Sequence, residues 1–216
     1  FEALIQFCLI HKLPKFRAKQ IWEWLWKKRA ISFDEMTSIP KDARELFKDN
    51  FIINSIKIND KEISSDGTIK YSFKLHDGLL IEGVLIPSKK RLTACISSQV
   101  GCSLSCKFCA TGTLNLERNV TASEIYDQVF LLNEQAELIF EKQISNIVYM
   151  GMGEPLLNYK SVVNSTSYIT SKYGLGMSPK RITVSTAGIS KMIRKLADDK
   201  VKFNLAISLH SATDKK

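Results

Sequence analysis

Three cysteines stand close together in the middle of the chain, in the segment Cys102-Ser-Leu-Ser-Cys106-Lys-Phe-Cys109. The CxxxCxxC spacing lets one short loop turn three thiolates inward, and the fold has to accommodate that loop. Thiolates are the usual ligands of iron–sulfur clusters, and a four-iron cluster normally takes four of them. The local motif supplies three. It therefore predicts a cluster with one open iron, because catalytic metal sites keep a vacancy for a substrate or second cofactor.

Two other uses of these cysteines remain open on the residues alone. A zinc site could take Cys95 or a histidine as its fourth ligand, although a zinc ribbon needs two CxxC pairs and only one such spacing is present. A disulfide framework is disfavoured because the five cysteines among 216 residues are sparse and odd in number. Thiols grouped for metal binding indicate a reducing compartment, so we expect a cytoplasmic protein.

Strands and helices alternate from residue 91 onward, which predicts an α/β fold with a parallel sheet. A helix is predicted to begin at the capping box Thr121-Ala-Ser-Glu124 and to run to about residue 136. Two more helices are predicted at 160–172 and 190–197. The predicted strands are 92–97, 144–150, 181–185 and 203–209.

The first 90 residues have a different character, so we predict domain boundaries that give segments 1–50, 51–90 and 91–216. Segment 1–50 is helical, with tryptophans among many lysines and arginines. These rings could stack on RNA bases or pack into a core. In segment 51–90, strands at 69–75 and 79–86 flank a turn signal and predict a β-hairpin connector.

The net charge of +9 favours an anionic partner such as nucleic acid, but a solvated basic surface explains it equally well. No apolar run approaches the ~20 residues of a membrane helix, so we expect no membrane association.

Polar motifs follow each predicted parallel strand, at the end where α/β barrels place their active sites. The cysteine loop follows the first strand and Gly151-Met-Gly-Glu154 follows the second. Ser185 and Thr186 end the third strand, and Ser208 to His210 end the fourth. Glycines permit close approach of a ligand, and a carboxylate can accept hydrogen bonds from an ammonium group.

Two further residues have open interpretations. Glu82 interrupts an apolar strand, and the residues alone favour an exposed position on an edge strand over a buried one. Cys95 lies in a strand, where a free cysteine is usually a small core residue.

Taken together, the motifs resemble those of the radical S-adenosylmethionine (SAM) enzymes. The CxxxCxxC segment with Phe108 before its last cysteine is similar to the superfamily signature. Ser97-Ser-Gln-Val-Gly-Cys102, Tyr149-Met-Gly-Met-Gly-Glu-Pro155 and Ser208-Leu-His210 resemble the RlmN/Cfr family of RNA methyltransferases. The resemblance runs from about Phe16 to the end of the sequence.

The resemblance implies a fold and a set of site residues. The fold is an incomplete (β/α)6 partial barrel, preceded by a small helical RNA-binding domain and the hairpin, with the chain truncated at both ends. Glu82 is the implied proton acceptor, and Cys95 is the implied disulfide partner of a methyl-carrying cysteine beyond Lys216. The implied ligands of a [4Fe–4S] cluster are Cys102, Cys106 and Cys109. The implied SAM-binding residues are Gly153, Glu154, Ser185, Ser208, Leu209 and His210.

The implied function is methylation of C2 of a specific adenine in 23S rRNA and in tRNA, by a monomer that takes electrons from a donor such as flavodoxin. By itself the chain is expected to be inactive, because the methyl-carrying cysteine is absent. Val100 and Pro155 favour the RlmN type over a Cfr-like C8 methyltransferase. The other alternative is a zinc-stabilised RNA-binding module.

Overall fold

The structure is a computed structural model that describes residues 1–213. These residues form two compact units. The helical unit comprises Phe1–Ser55 and Tyr168–Gly176. The sheet unit comprises Ile56–Ser167 and the described residues from Met177 on. The predicted division at residues 50 and 90 stays a prediction. Within residues 1–213, no helix has both the length and the apolar character that crossing a membrane requires.

The helical unit contains α1 (Glu2–Ile10), α2 (Phe16–Trp26) and α3 (Lys41–Asn50). Ala18 and Ile21, three residues apart on α2, are fully buried in the core of this unit.

The tryptophans of the helical unit are half-buried and pack within it. The Trp26 ring lies 4.2 Å from that of Tyr168, centroid to centroid, and 5.3 Å from that of Trp22. The Lys28 Nζ atom lies 3.6 Å from the ring centroid of Trp24. These contacts agree with the interpretation that the rings pack into a core with a lysine side chain over one of them. Stacking of the rings on RNA bases stays a prediction.

The strands of the sheet unit are β1 (Lys57–Ile63), β2 (Ile69–Lys74), β3 (Leu80–Pro87), β4 (Leu92–Cys95), β5 (Gln99–Val100), β6 (Arg118–Asn119), β7 (Asn146–Tyr149), β8 (Ile182–Thr186) and β9 (Asn204–Ile207). Seven of these strands form one sheet in the order β1-β2-β3-β4-β7-β8-β9. Strands β4, β7, β8 and β9 are parallel to one another, which confirms the predicted α/β fold. Strands β1 to β4 are antiparallel neighbours. Two short strands, β5 and β6, pair separately.

Three helices connect the parallel strands: α4 (Ala122–Phe140), α5 (Tyr159–Thr170) and α6 (Ser190–Asp198). Helix α4 begins at the predicted capping box. The Glu124 amide donates to Thr121 Oγ1 at 3.3 Å, and the Thr121 amide donates to Glu124 Oε2 at 2.8 Å. The helix runs beyond its predicted end and stops at Glu141, whose backbone is left-handed with φ of 53°.

The register of the sheet separates a buried face from a more open one, because residues paired across strands share a face. Tyr71, Ile81 and Val184 belong to the buried face and are fully covered. On the open face, Cys95 is paired with Val84 of β3 and with Val148 of β7. Alternation along β3 and β8 places Glu82 and Ser185 on that same open face.

The structure corrects two sequence-based expectations about the antiparallel strands. The hairpin is β2–β3, but a third strand, β1, adds to it. Strand β3 lies between β2 and β4, so the expected edge position of Glu82 is wrong. The Glu82 side chain is nevertheless exposed, because it projects from the open face of the sheet.

Candidate active site at the ends of the parallel strands

A cavity of about 270 Å³ lies at the carboxyl ends of the parallel strands. It brings together the cysteine loop, the loop after β7, the end of β8 and the residue after β9. The site residues predicted from sequence that line it are Cys102, Cys106, Cys109, Gly153, Glu154, Ser185 and Ser208.

The cysteine loop is held in shape by its own backbone. All three thiols are free and half-buried. The Cys109 amide donates to the Cys106 carbonyl at 3.0 Å, and the Gly112 amide donates to the Cys109 carbonyl at 2.9 Å. A Cβ on Gly112 would stand 2.5 Å from the Cys106 carbonyl oxygen, so only glycine allows this close approach. The loop is therefore ordered around the cysteines.

The glycines after β7 let the chain approach its own neighbours. A Cβ on Gly151 would stand 2.6 Å from Ser97 Oγ. Gly153 has φ of +93°, and a Cβ there would collide with the side chain of Gln99. The sequence predicts that these glycines let a ligand approach closely. In the structure, their close contacts are instead to the segment that leads into the cysteine loop.

Glu154 is almost fully buried and joins the ends of two strands. Its Oε1 accepts from the Leu156 amide at 2.9 Å, and its Oε2 accepts from the Ala187 amide just after β8 at 2.8 Å. A carboxylate offers about four acceptor sites, so Glu154 retains capacity for a cationic ligand in the cavity that it lines.

The residues after β9 lie beside the cysteine loop and β8. Ser208 Oγ is 3.1 Å from Ser185 Oγ. The His210 ring stacks on the Phe108 ring, with centroids 4.1 Å apart and planes 11° from parallel. Leu209 is 73% exposed and is not part of the cavity wall. Of the predicted SAM-binding residues in this segment, Ser208 lines the cavity, whereas Leu209 and His210 do not.

Comparison with known proteins identifies this arrangement. The family model described as the radical SAM superfamily matches residues 96–216, which include the whole cavity wall. This chain belongs to the radical SAM superfamily. A second model, described as the ribosomal RNA large subunit methyltransferase N-terminal domain, matches residues 1–53.

Two relatives are named probable dual-specificity RNA methyltransferase RlmN, which confirms the predicted RlmN resemblance. The protein of Flavobacterium psychrophilum is 55% identical over 99% of this chain and 61% of its own length. That of Christiangramia forsetii is 56% identical over 98% of this chain and 60% of its own length. The chain thus spans about three fifths of the length of these relatives.

A solved radical SAM methyltransferase from Sphaerobacter thermophilus has the same fold, with a TM-score of 0.86 and 36% sequence identity. The match covers 96% of this chain and 61% of that one. It confirms the predicted partial barrel.

Membership of the radical SAM superfamily implies the predicted cofactors, a [4Fe–4S] cluster and SAM, and the donor set fits the cluster. Three free thiols line one cavity, and a cube binds each thiolate at a different iron. Among residues 1–213, no three His, Cys, Asp or Glu side chains are grouped closely enough for a single metal ion.

Glu82 and Cys95 lie outside the cavity wall of this radical SAM domain. The Glu82 carboxylate faces Lys70, whose Nζ lies 3.5 Å from Glu82 Oε1 and 3.1 Å from Glu62 Oε2. Cys95 is buried on the open face of the sheet, and burial raises the pKa of its thiol to about 11.

A group of buried polar residues around the radical SAM cavity had no predicted role. Gln128 is fully buried and makes two bonds to the Ser97 backbone, at 2.8 and 3.0 Å. Ser97 Oγ donates to the Glu82 carbonyl at 2.5 Å and accepts from the Met152 amide at 2.8 Å. The Ser-Ser-Gln segment before the cysteines could have indicated that such contacts exist, since buried polar residues directly after an apolar strand need hydrogen-bond partners.

Proposed function

We propose that this chain is the cluster- and SAM-binding part of an RNA methyltransferase that methylates C2 of adenine in 23S rRNA and in tRNA. One observation carries the proposal: three cysteines share a cavity wall with Glu154, Ser185 and Ser208. The relatives named dual-specificity RNA methyltransferase support the choice of RNA as the substrate.

The cavity residues have distinct tasks in this proposal. Cys102, Cys106 and Cys109 hold the cluster. Glu154 and the serines hold the polar groups of SAM, since a buried carboxylate and hydroxyls match an ammonium and a carboxylate. When bound, the cluster and SAM supply the one-electron chemistry that an unactivated carbon such as adenine C2 requires. The methyl group passes through a cysteine that lies outside this sequence.

Glu82 is the proposed acceptor of the C2 proton. A general base must come within hydrogen-bond distance of the proton that it removes, which requires an accessible side chain. Glu82 meets this requirement, because it is exposed on the same face of the sheet as Cys95 and Ser185. Its backbone is fixed by the bond from Ser97 Oγ to its carbonyl.

Cys95 is the proposed disulfide partner of the methyl-carrying cysteine. Its position on the open face of the sheet supports this role, because an added segment that covers this face would meet it. With a pKa of about 11, its thiol stays protonated at neutral pH and is a weak nucleophile. The methyl-carrying sulfur is already bonded to carbon, so we infer that the Cys95 thiol must first lose its proton and then attack that sulfur, which forms the disulfide and releases the carbon.

The remaining partners follow from the same proposal. An RNA substrate and an electron donor such as flavodoxin are cytoplasmic, and so is the proposed location of the protein. The net charge of +9 suits an RNA partner. We propose that the protein acts as a monomer.

The experiment is a methylation assay with the protein in its full natural length, 23S rRNA fragments and tRNA, followed by mass spectrometry of the digested nucleosides. We expect C2-methyladenosine from both RNAs. Glu82→Gln should form none of it while still cleaving SAM. Glu62→Gln is the matched control, because Glu62 pairs with the same lysine, and it should keep activity. Methylation at C8, or a fully active Glu82→Gln variant, would contradict the proposal.

A further inference from the structure

The cysteine loop has a narrow neck. It leaves the sheet at Ser98 and returns at Val120, where the Val120 amide donates to the Ser98 carbonyl at 3.1 Å. The short strands β5 and β6 pair just inside this point. The Glu117 amide adds a bond to the Val100 carbonyl at 2.9 Å. Both arms of the neck therefore run side by side before the chain opens into the cysteines.

Asn158 closes the neck from outside the loop. It ends the short 3-10 turn Pro155–Asn158 that directly follows Glu154, and it is 5% exposed. Its Nδ2 donates to the Ser98 carbonyl at 2.7 Å and to the Val120 carbonyl at 2.7 Å. One side-chain amide thus uses both of its N–H groups to hold the two ends of the loop together.

A second side chain, which belongs to the loop itself, also connects the neck to the segment around Glu154. Gln99, in the outgoing arm, accepts from the Glu154 amide through Oε1 at 2.8 Å. Its Nε2 donates to Asn119 Oδ1 in the returning arm at 2.8 Å. Gln99 is 1% exposed, so these bonds are protected from water. The neck and the Glu154 loop are therefore connected in both directions by buried amides.

We propose that Asn158 is a positioning residue for the iron–sulfur cluster. By fixing the neck to the Glu154 turn, it keeps the three thiols on one side of the cavity and the proposed SAM-binding residues on the other. The proposal rests on the cluster-binding role of Cys102, Cys106 and Cys109. Loss of the Asn158 amide leaves two buried carbonyls without that donor, which should loosen the loop about tenfold.

The test compares Asn158→Leu with Asn115→Leu in the protein of full natural length. Asn115 lies in the same loop but is exposed, so its substitution is the matched control. Hydrogen exchange is measured on the cluster-free protein, and the rate of iron loss to a chelator is measured on the reconstituted protein. For Asn158→Leu we expect about tenfold faster exchange at the Glu117 and Val120 amides, unchanged exchange in α4, and about tenfold faster iron loss.

Native rates of exchange and iron loss in Asn158→Leu would overturn the proposal, as would faster exchange throughout the sheet unit, which indicates a general loss of stability. If Asn158→Leu fails to fold, Asn158→Ser replaces it, since a smaller side chain admits a water molecule to the carbonyls. The exchange measurement needs no cluster. If the unsubstituted protein takes up no iron while Asn158→Leu exchanges faster at the neck, the proposed function is refuted and the role of Asn158 in fixing the loop is supported.

Discussion

The hydroxyl oxygens of Ser185 and Ser208 lie 3.1 Å apart, one in β8 and the other just after the neighbouring strand β9. The parallel register sets this distance, because Ser185 is paired with Ala206, two residues before Ser208 and on the same face. Both side chains line the cavity that contains the three cysteines. The pairing of β8 with β9 therefore places both hydroxyls side by side in the proposed SAM site.

Substitution of either serine should weaken SAM binding without loss of the fold. We expect Ser185→Ala and Ser208→Ala each to raise the dissociation constant of SAM about fivefold, the equivalent of one hydrogen bond. Because the two hydroxyls bond to each other, the double variant should lose less than the sum of the two. Calorimetric titration of the reconstituted protein measures this. Additive losses would show that the serines act independently, and unchanged affinity would place SAM elsewhere.

The three cysteines of the loop should be individually required for cluster retention. We expect each single substitution of Cys102, Cys106 or Cys109 by alanine to abolish retention, because two thiolates leave two irons without protein ligands. Cys95→Ala is the control and should keep its iron, since Cys95 is not in the cavity wall. Iron and sulfide analysis after anaerobic reconstitution measures the outcome. Full iron content in any of the three loop variants would remove that cysteine from the ligand set.

Thiol reactivity in the cluster-free protein should follow burial. Cys102, Cys106 and Cys109 are half-buried, whereas Cys95 is buried and its pKa is raised to about 11. We expect the loop cysteines to react with iodoacetamide at least ~10-fold faster than Cys95 at pH 7.5, because the thiolate is the nucleophile. Mass spectrometry of timed digests gives each rate. Equal rates at all four positions would contradict the burial of Cys95.

The buried carboxylate of Glu124 should make stability depend on pH. Burial raises its pKa, but the hydrogen bonds from Arg118, at 2.8 and 2.9 Å, and from Thr121 outweigh burial and lower the pKa overall. The folded pKa is therefore below the unfolded value of about 4.3, so the stabilisation is complete above about pH 4.3 and is lost as the pH falls through the folded pKa.

Replacing Glu124 tests this assignment by chemical denaturation of the cluster-free protein. Glu124→Gln should lower the free energy of unfolding by about 1–3 kcal/mol at pH 7. It should also flatten the decline in stability below about pH 4.3. Glu45→Gln, at an exposed position on α3, is the control and should leave both quantities unchanged. If the free energy of unfolding of Glu124→Gln falls as steeply below about pH 4.3 as that of the unsubstituted protein, other carboxylates cause the decline.

Local signals in the sequence were sufficient to predict most elements of the sheet unit. Thr121 and Glu124 are three residues apart, so their capping box could be predicted from the local sequence alone. Apolar strands followed by polar residues predicted which residues would meet, because parallel strands bring their carboxyl ends to one edge of the sheet. Strand β1 gave no such signal, since almost all of its residues are exposed and no apolar alternation results.

Individual hydrogen bonds and close contacts between distant residues could not be predicted. Asn158 bonds to carbonyls 38 and 60 residues away, and nothing in its neighbourhood in the sequence indicates that. The same holds for Gly153, whose close neighbour is Gln99. An apolar strand with one carboxylate also could not reveal that Glu82 projects from the open face of an interior strand.

Cluster and SAM binding by the cysteine loop is tested most directly by electron paramagnetic resonance of the anaerobically reconstituted and reduced protein, before and after addition of SAM. We expect a brown protein with the spectrum of a reduced [4Fe–4S] cluster, and a change in that spectrum when SAM binds. A colourless protein that holds one zinc ion per chain, or a cluster spectrum that SAM leaves unchanged, would contradict this expectation.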